Sequence, residues 1–316
     1  MTAVVILNWN GADDTIECLE SLSHAKGDFF VVVADNGSVD DSVSRIHEYI
    51  KNSALDIKVL ELDRNYGFAG GNNKAIRYAS DFNPDSYLIL NNDTEVTSGF
   101  LVELENFIRI HKEYSILTPR INCFFDRNII WNCGGVLRFG FRKYRYAGCN
   151  ENCIRGRKKL RISFVTGCAL FFLPAVLEPD GSLLSERFFF GEEDFDFSLR
   201  VKRRGLKMAC VTDSVIYHKI GSAGKRMDKS GKVYLHLLNR YIDVRINSGG
   251  LFFLSWRIVS FFFTIRALRK AFGSTTGALG MYRILIQDMR SKDEVSRSDY
   301  ESLVIKGDYF NERRQG

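Results

Sequence analysis

The stretch that decides the fold of this chain reads Tyr87-Leu88-Ile89-Leu90-Asn91-Asn92-Asp93-Thr94. Its apolar half predicts a buried β-strand, and α/β proteins place ligand chemistry at the carboxyl end of such strands. The polar half would bring the oxygen-bearing side chains of Asn91, Asn92 and Asp93 into one cleft. Oxygen ligands are the ones that Mg²⁺ and Mn²⁺ prefer. Taken alone, the same residues also fit a polar turn that caps a helix.

Three earlier segments repeat this pattern of a strand followed by polar side chains. Residues 3–7, 29–34 and 57–62 read as strands, and segments of helical periodicity separate them. This alternation predicts a parallel sheet with helices on both faces. Because parallel strands end at one edge of a sheet, the polar clusters would meet there. The earlier clusters contain Asn8, Asn10, Asp35, Asn36, Asn65 and Asn73.

A glycine-rich stretch follows the third strand and leads into a helix predicted over residues 72–80. Gly67, Gly70 and Gly71 would let the backbone approach a ligand, and helix N-termini attract anions. The spacing is not a dinucleotide fingerprint, because Ala69 takes the place of the middle glycine. It is not a Walker A loop either, because no Lys-Ser/Thr pair follows. A tight turn before a helix is the alternative.

A second acidic cluster lies about a hundred residues downstream, at Glu192-Glu193-Asp194-Phe195-Asp196. It follows three consecutive phenylalanines, and acids beside apolar bulk have raised pKa values that suit a general base near neutral pH. Acids in a first helical turn are also ordinary capping residues. His218 follows another apolar segment and is a candidate metal ligand together with Asp93. A lone histidine after a strand more often has a structural role.

Composition restricts the class of partner. The 316 residues carry a net charge of +6 and seven cysteines without a CxxC pair. A zinc site is therefore not expected, and reduced thiols in the cytoplasm fit best.

Residues 142–161 hold eight Lys/Arg and one acid, which suits binding of phosphates or of a membrane surface, or else a solvated loop. No nucleic-acid partner is expected. We interpret residues 120–162 as a long irregular excursion.

The C-terminal part, from about residue 223, reads as helical and basic. No signal peptide is visible, and no segment reaches the roughly 18 uncharged apolar residues of a spanning helix. Residues 251–265 come nearest, with Arg257, Ser260 and Thr264 on one narrow face and phenylalanines over most of the rest. Such a helix either packs into a core or lies in a membrane interface, and we favour the interface.

Together these motifs resemble the family 2 glycosyltransferases of the GT-A fold, most closely the rhamnosyltransferase-like branch that builds bacterial surface polysaccharides. The resemblance covers roughly residues 3–222, in order through residues 4–11, 33–38, 65–73, 88–94, 165–169, 190–196 and 215–218. It implies a GT-A domain over residues 1–222, with a Rossmann-like, mostly parallel sheet flanked by helices. Residues 223–316 would then form a helical, membrane-associating extension.

The resemblance also implies an activity, which is inverting transfer of a sugar from a nucleotide-diphosphate sugar. The donor expected first is dTDP-L-rhamnose, followed by a UDP-hexose. The acceptor would be a saccharide or a lipid-pyrophosphate-linked glycan. The enzyme would be cytoplasmic and peripheral at the inner face of a bacterial plasma membrane.

Carried over position by position, the resemblance assigns catalytic and nucleotide-binding roles. Asp194 would be the catalytic base, with Glu193 beside it, and Asp35 would contact the base or ribose of the nucleotide. The residues expected to bind the nucleotide sugar are Asn8, Asn10, Asp35, Asn36, Asn65, Gly67, Gly70, Asn73 and Asn92.

The resemblance further implies a metal site and an acceptor site. Asp93 would be the second acid of a metal-binding DxD motif, whose first position here is Asn91. With His218 these residues would hold Mg²⁺ or Mn²⁺ on the diphosphate. Thr166 and Gly167 would line the acceptor side.

Three other functions fit part of the pattern. A nucleotidyltransferase also uses a parallel sheet, a metal and a nucleotide. Such an enzyme is expected to have a glycine-rich loop with basic side chains after the first strand, whereas residues 8–14 contain no Lys or Arg. A non-catalytic, membrane-docking nucleotide-binding protein is the second alternative, and the presence of Asp93 and Asp194 argues against it. A sugar hydrolase using the two acids would leave the glycine stretch unexplained.

Overall fold

The computed structural model of the protein describes residues 1–219 and 229–310. The chain divides into two compact units. One comprises Met1–Leu184 and Phe197–Ser222, and the other comprises Ser185–Asp196 and Ala223–Gly316. The acidic cluster at residues 192–196 therefore groups with the C-terminal unit. The boundary expected between residues 222 and 223 lies outside the described residues, so that domain division stays a prediction.

The first unit is built on one mixed β-sheet and a small hairpin. The sheet strands are β1 (Thr2–Asn8), β2 (Phe29–Asp35), β3 (Ile57–Glu61), β4 (Ser86–Asn91), β5 (Thr94–Val96), β6 (Tyr114–Cys123) and β7 (Ile130–Asn132), and the hairpin follows with β8 (Gly135–Arg138) and β9 (Phe141–Tyr144). The sheet is completed by β10 (Lys159–Ile162), β11 (Ala169–Phe172) and β12 (Lys207–His218). The strand order is β10-β12-β6-β11-β4-β1-β2-β3, with β5 on β12 and β7 on β6.

The α-helices of the described residues follow the strands and then fill the C-terminal unit. They are α1 (Ala12–Ser23), α2 (Ser42–Lys51), α3 (Gly67–Ser80), α4 (Phe100–Ile110), α5 (Glu193–Arg203), α6 (Lys229–Asn247), α7 (Gly250–Phe272), α8 (Thr275–Ser291) and α9 (Arg297–Tyr300). In β1, Ala3 and Val5 belong to one hydrophobic cluster, while Val4 and Ile6 belong to the other. Both faces of this strand are thus covered, which explains its uninterrupted apolar sequence.

The parallel half of the sheet matches the sequence prediction. β1 pairs in parallel with β2 and β4, and β2 pairs in parallel with β3. Asn8 lies opposite Asp35, and Leu7 lies opposite Asn91. β11 enters antiparallel to β4, with Ala169 opposite Leu90. Residues 166–168 therefore reach the same edge at which the first four strands end.

The interpretation of residues 120–162 as an irregular excursion was wrong. β6 continues to Cys123, and β7, β8, β9 and β10 lie in this stretch. Each of these four strands has only three or four residues, and glycines with positive φ, such as Gly134, Gly140 and Gly148, bend the chain between them. Strands this short show too few alternations for a period to be recognised in the sequence.

Helix α3 begins at Gly67, five residues before the predicted start at residue 72. A Cβ atom added to Gly71 would lie 2.6 Å from Leu7 Cδ1 on β1. Gly71 therefore allows the helix to lie close against the sheet, and Gly70 beside it is also buried within the helix. Gly67 has a φ of +75°, a conformation that favours glycine at the turn into the helix.

Helix α7 has 23 residues and is longer than the 15-residue segment expected. By length and composition alone it could cross a membrane, contrary to the sequence expectation, although one such helix is weak evidence. Ser260 and Thr264 do not face outward, because both are buried and lie 3.1 and 3.0 Å from the Tyr241 hydroxyl of α6. Other apolar side chains, among them Leu251, Ile258 and Phe262, are exposed on the outer face.

Candidate active site

Asn8, at the end of β1, joins three elements of the first unit. Its Nδ2 donates to Asp35 Oδ1 at 2.7 Å and to Ser38 Oγ at 3.2 Å. Its Oδ1 accepts from the Thr15 hydroxyl of α1 at 2.8 Å. The side chain is fully buried. Asn8 therefore connects the ends of β1 and β2 to the helix that follows β1.

Asp35 organises the turn after β2. Its Oδ2 accepts from the Ser38 backbone N–H at 2.8 Å, and its Oδ1 accepts from the Ser38 hydroxyl at 2.6 Å. The carboxylate is buried among these neutral donors and Asn8. Asp35 lies where it was predicted, at the carboxyl edge of the sheet. Its contact with a nucleotide stays a prediction.

Asn36 ties the end of β2 to the start of α3. Its Oδ1 accepts from the Tyr66 backbone N–H at 3.0 Å, and its Nδ2 donates to Asn65 Oδ1 and to the Gly67 carbonyl, both at 3.1 Å. Asn65 Oδ1 also accepts from the Gly67 N–H at 2.7 Å. Asn36, Asn65 and the Gly67 backbone thus form one connected corner at the carboxyl edge of the sheet.

Asn10 and Asn92 lie on the loops around this corner. Asn10 is exposed, has a φ of +50°, and accepts from the Val39 N–H at 2.9 Å. Asn92 Nδ2 donates to the Thr15 hydroxyl at 3.0 Å and to the Gly11 carbonyl at 3.4 Å. Asn92 is half-buried and holds the end of β4 against α1. Of this group, exposed Asn10 is the most accessible to a ligand.

Asn73 does not fit its predicted role in nucleotide binding. It is completely buried on α3. Its Oδ1 accepts from the backbone N–H groups of Leu183 and Leu184 at 3.0 Å, and its Nδ2 donates to the Leu184 carbonyl at 2.8 Å. The amide thus satisfies backbone groups of a loop more than a hundred residues away. This position indicates a structural residue.

Asp93 and His218 come together although 125 positions separate them. The last residues of β12 pair with β5, so that His218 lies opposite Thr94. Asp93 Oδ1 lies 3.1 Å from His218 Nε2, and both side chains are largely buried. The Trp131 ring packs against the imidazole with centroids 4.4 Å apart. Within the part of the chain that the structure describes, His218 Nδ1 is buried and has no hydrogen-bond partner.

The charge state of Asp93 follows from these contacts. Burial by itself would raise the pKa of this carboxyl. The hydrogen bonding and charge of His218, together with hydrogen bonds from the Asp93 backbone and from Asn91, outweigh burial and lower the pKa below its ordinary value. Asp93 is therefore a carboxylate at neutral pH. Asn91, predicted as a metal ligand, interacts with the Asp93 carboxylate.

The donor set at this edge can be compared with the needs of a divalent cation. Over residues 1–219 and 229–310, no group of three His, Cys, Asp or Glu side chains is arranged to hold a metal ion. Asp93 and His218 supply one ionised carboxylate and one imidazole. Mg²⁺ in nucleotide sites is usually held by one or two carboxylates plus substrate phosphates and water. The residues therefore fit a cation that binds together with a diphosphate.

Thr166 and Gly167 lie at the same edge of the sheet. The Cys168 carbonyl accepts from the Asn91 N–H at 2.8 Å, which attaches this loop to the end of β4. A Cβ atom on Gly167 would lie 2.8 Å from Phe68 Cε1 on α3, so a larger residue would displace that ring. Thr166 is buried, and its hydroxyl accepts from the Cys168 N–H at 3.3 Å.

In the C-terminal unit, α6 holds the segment that leads into α5. Asn239 Nδ2 donates to the carbonyls of Phe190 and Gly191 at 3.0 and 3.2 Å. Arg240 binds the Glu192 carboxylate through Nε at 2.6 Å and Nη2 at 2.5 Å. Glu192 has a φ of +71°, which is rare for a residue with a side chain. This ion pair stabilises the unusual backbone conformation just before Glu193.

Glu193 and Asp194 form the first turn of α5 and are half-buried. One carboxylate oxygen of Glu193, Oε2, is buried without a hydrogen-bond partner among the described residues. Burial and then the charges of Asp194 and Glu192 raise the Glu193 pKa to about 8. Burial, together with the negative charge of this turn, thus produces a carboxyl group that can exchange a proton near neutral pH.

Asp243 belongs to the same acidic cluster, although its sequence position did not predict this. It is completely buried on α6, and Asn247 Nδ2 donates both to Asp243 Oδ1 at 2.5 Å and to Asp196 Oδ1 at 3.1 Å. Burial and then the charges of Asp196 and Glu192 raise the Asp243 pKa to about 9. The sequence does contain a signal for a buried acid at this position, because Asp243 stands between two apolar neighbours, Ile242 and Val244.

The variant Asp243→Asn is expected to stabilise the protein, and more so at higher pH. The Asp243 pKa rises from 3.8 to about 9 on folding, so its stabilising contribution is lost as pH rises across that window. Asparagine cannot ionise and retains an acceptor for Asn247. We expect a gain of roughly 1–3 kcal/mol in unfolding free energy at pH 8 and less at pH 5, measured by urea denaturation. An equal gain in unfolding free energy at pH 5 and pH 8 would contradict the raised Asp243 pKa. The matched control is Asp293→Asn, which changes an exposed aspartate of the same unit.

The mixed sheet, its polar strand ends and the flanking helices define an α/β protein of the GT-A type. The family model described as Glycosyl transferase family 2 matches residues 3–176. This match covers more than half of the chain, and the chain belongs to that family.

Individual relatives agree with this assignment. The low-salt glycan biosynthesis hexosyltransferase Agl10 of Haloferax volcanii is 28% identical over 244 residues, covering 76% of this chain and 74% of Agl10. The teichoic acid poly(glycerol phosphate) polymerase of Staphylococcus epidermidis is 22% identical over 174 residues, which cover 47% of this chain and 23% of the polymerase. Less than a quarter of that polymerase is therefore represented here.

Solved structures share the fold at low sequence identity. TarS 1-349 of S. aureus in complex with UDP has a TM-score of 0.53 and 16% identity, covering 77% of this chain and 65% of that one. This chain thus spans slightly less than two thirds of TarS 1-349. The mannosyltransferase PcManGT of Pyrobaculum calidifontis, in complex with GDP-Man and Mn²⁺, has a TM-score of 0.55 and 15% identity, covering 90% and 78%. At these identities the likeness concerns the fold alone.

Proposed function

We propose that this family 2 glycosyltransferase transfers a sugar, with inversion, from a nucleotide-diphosphate sugar to a hydroxyl of a lipid-linked or polysaccharide acceptor in surface glycan synthesis. The observation that carries the proposal is the Asp93–His218 pair at the sheet edge where β1, β2 and β4 end. The relatives add support, since Agl10 is a glycan biosynthesis hexosyltransferase. The proposed donor is dTDP-L-rhamnose, with a UDP-hexose as second choice.

The donor would bind along the connected corner of the first unit. Exposed Asn10 and the backbone around Asn65 and Gly67 would contact the nucleotide, while Asn8, Asp35 and Asn36 keep these loops in place. Asp93 and His218 would hold Mg²⁺ or Mn²⁺, as PcManGT binds Mn²⁺ with its GDP-Man. When bound, the cation would offset the negative charge that develops on the departing diphosphate.

The proposed reaction is a single displacement. Asp194 would accept the proton of the acceptor hydroxyl while that oxygen forms a bond to C1 of the donor sugar. The bond from C1 to the diphosphate oxygen breaks at the same time, so the nucleoside diphosphate leaves and the anomeric configuration inverts. Thr166 and the Gly167 backbone would line the acceptor. Glu193 beside Asp194 is the second candidate for the base, because its pKa lies at about 8.

The proposed cellular place is the cytoplasmic face of a bacterial plasma membrane, with the protein attached peripherally. A lipid-pyrophosphate-linked acceptor carries its saccharide at such a surface. The basic, apolar helix α7 supports this placement, because it lies in the C-terminal unit and not in the unit that carries the nucleotide corner.

A thermal-shift panel tests the proposal. The full-length protein is heated with UDP, dTDP, GDP or CDP, each with and without Mn²⁺. We expect one nucleoside diphosphate to raise the melting temperature, and to raise it more with Mn²⁺, because ligands that bind only the folded state stabilise it. Stabilisation by none of the four, with or without Mn²⁺, would contradict donor binding. The same conditions with the matching nucleoside serve as the control for diphosphate recognition.

A further inference from the structure

The outer face of α7 is apolar, which is the reverse of an ordinary surface helix. Leu251, Ile258 and Phe262 are 88%, 63% and 72% exposed, and Leu254 is 49% exposed. Their spacing of three or four residues places them on one side of the helix. The opposite side carries the buried polar residues described above. We call the exposed set Leu251, Leu254, Ile258 and Phe262 the α7 face.

The charges of α7 are all of one sign. Residues 250–272 contain four Lys/Arg and no Asp/Glu. Arg266, Arg269 and Lys270 are exposed in the last two turns. At 100° per residue, Arg269 lies in line with the α7 face, Arg266 lies beside it and Lys270 lies at its flank. Cations in a last turn also favour the helix dipole, but that does not explain the four apolar side chains beside them. An apolar stripe with basic residues fits an anionic lipid surface.

A second copy of this chain fits the surface less well. Pairing of two α7 faces would bring apolar side chains together, but each helix would present cations without supplying any acid to the other. Charge complementarity therefore favours an anionic lipid headgroup over another copy of the same face.

The contacts on the inner side of α7 indicate how the helix would lie relative to a lipid bilayer. Trp256 packs on Tyr241 of α6 with ring centroids 4.9 Å apart, and Phe261 packs on Tyr282 of α8 at 5.0 Å. Helices α6 and α8 accompany α7 and carry charged residues, including the exposed Arg283 on α8. A bilayer-spanning α7 would pull these charges into hydrocarbon, which is costly. Only one side of the helix is available to lipid.

We propose that the α7 face docks on an anionic lipid bilayer with the helix axis parallel to the surface. The α7 face enters the boundary between headgroups and acyl chains, and Arg266, Arg269 and Lys270 contact lipid phosphates. This inference rests on the membrane location proposed above and adds the docking surface, its lipid charge preference and its orientation. It does not depend on the nucleotide corner.

Vesicle sedimentation of the full-length protein tests this inference. The vesicles contain phosphatidylcholine alone or phosphatidylcholine mixed with phosphatidylglycerol. We expect pelleting with the mixed vesicles and much less with phosphatidylcholine, and a decrease at high salt. The double variant Ile258→Ser, Phe262→Ser is expected to bind at least about 10-fold more weakly. The triple variant Arg266→Gln, Arg269→Gln, Lys270→Gln is expected to lose about 100-fold on the mixed vesicles.

Ile110→Ser, which removes an exposed apolar side chain from α4 in the other unit, is the matched control and is expected to pellet like the unchanged protein. Retention in the supernatant with mixed vesicles overturns the inference. Equal pelleting on both vesicle types, resistance of pelleted protein to alkaline carbonate, or a dimer that the double variant dissociates also overturns it. Each variant is first checked for its nucleotide thermal shift, so failure to bind vesicles is distinguished from failure of donor binding.

Discussion

Replacing Asp194 with asparagine is expected to remove most turnover and leave donor affinity nearly unchanged. Asparagine has almost the same shape as aspartate but cannot accept the proton of the acceptor hydroxyl. Loss of a general base typically lowers the rate by about 10²–10⁴-fold. Turnover is measured as release of nucleoside diphosphate with donor and acceptor present, and donor affinity is measured by calorimetry. Unchanged turnover would exclude Asp194 as the base.

The variant Glu193→Gln tests which of the two carboxyl groups of this turn, Glu193 or Asp194, acts as the base. If Asp194 is the base, Glu193→Gln retains most turnover, and the rate does not depend on a group that titrates near 8. If Glu193 is the base, its variant is the inactive one, and the rate of the unchanged protein rises with pH through about 8, because the base must be deprotonated. Asp180→Asn, at an exposed aspartate of the other unit, controls for general effects of removing a carboxylate.

Replacing Asp93 with alanine is expected to abolish the effect of Mn²⁺ on nucleotide binding. The lowered pKa of Asp93 keeps this group ionised at neutral pH, so it supplies the charged oxygen ligands of the edge. Without Asp93, the His218 imidazole would be the remaining side-chain donor of the pair. We expect at least about a 10-fold loss of affinity for the nucleoside diphosphate in Mn²⁺, and little change without metal. Calorimetric titration with and without Mn²⁺ measures both.

His218→Ala and the double variant complete a thermodynamic cycle with Asp93→Ala. If both side chains act on the same cation, their effects on affinity in Mn²⁺ are not additive, because removal of either weakens the shared ligand. Asp81→Ala changes an exposed aspartate after α3 and is the control. An equal Mn²⁺ effect in Asp93→Ala and in the unchanged protein would exclude Asp93 as a metal ligand.

Much of the first unit could be predicted because its signals are local. Buried strands such as residues 3–7 are uninterrupted apolar runs, and each ends at polar residues that mark the edge of the sheet. The parallel arrangement of the first four strands followed from their alternation with helices, but their order in the sheet did not. The short strands β7–β10 could not be predicted in this way, because three or four residues do not establish a period. The early start of α3 was missed because glycines usually indicate a loop.

The sequence by itself determined where the first four strands lie, where they end and which polar residues stand at those ends, since these properties depend on neighbouring residues. Only the tertiary structure decided which distant groups meet. Sheet register brings His218 to Asp93, and helix packing brings Asp243 to Asp196 and turns Ser260 inward on α7. The physical reason is that pKa shifts and amphipathic faces depend on what lies across a contact, and residues far apart in the chain supply that contact.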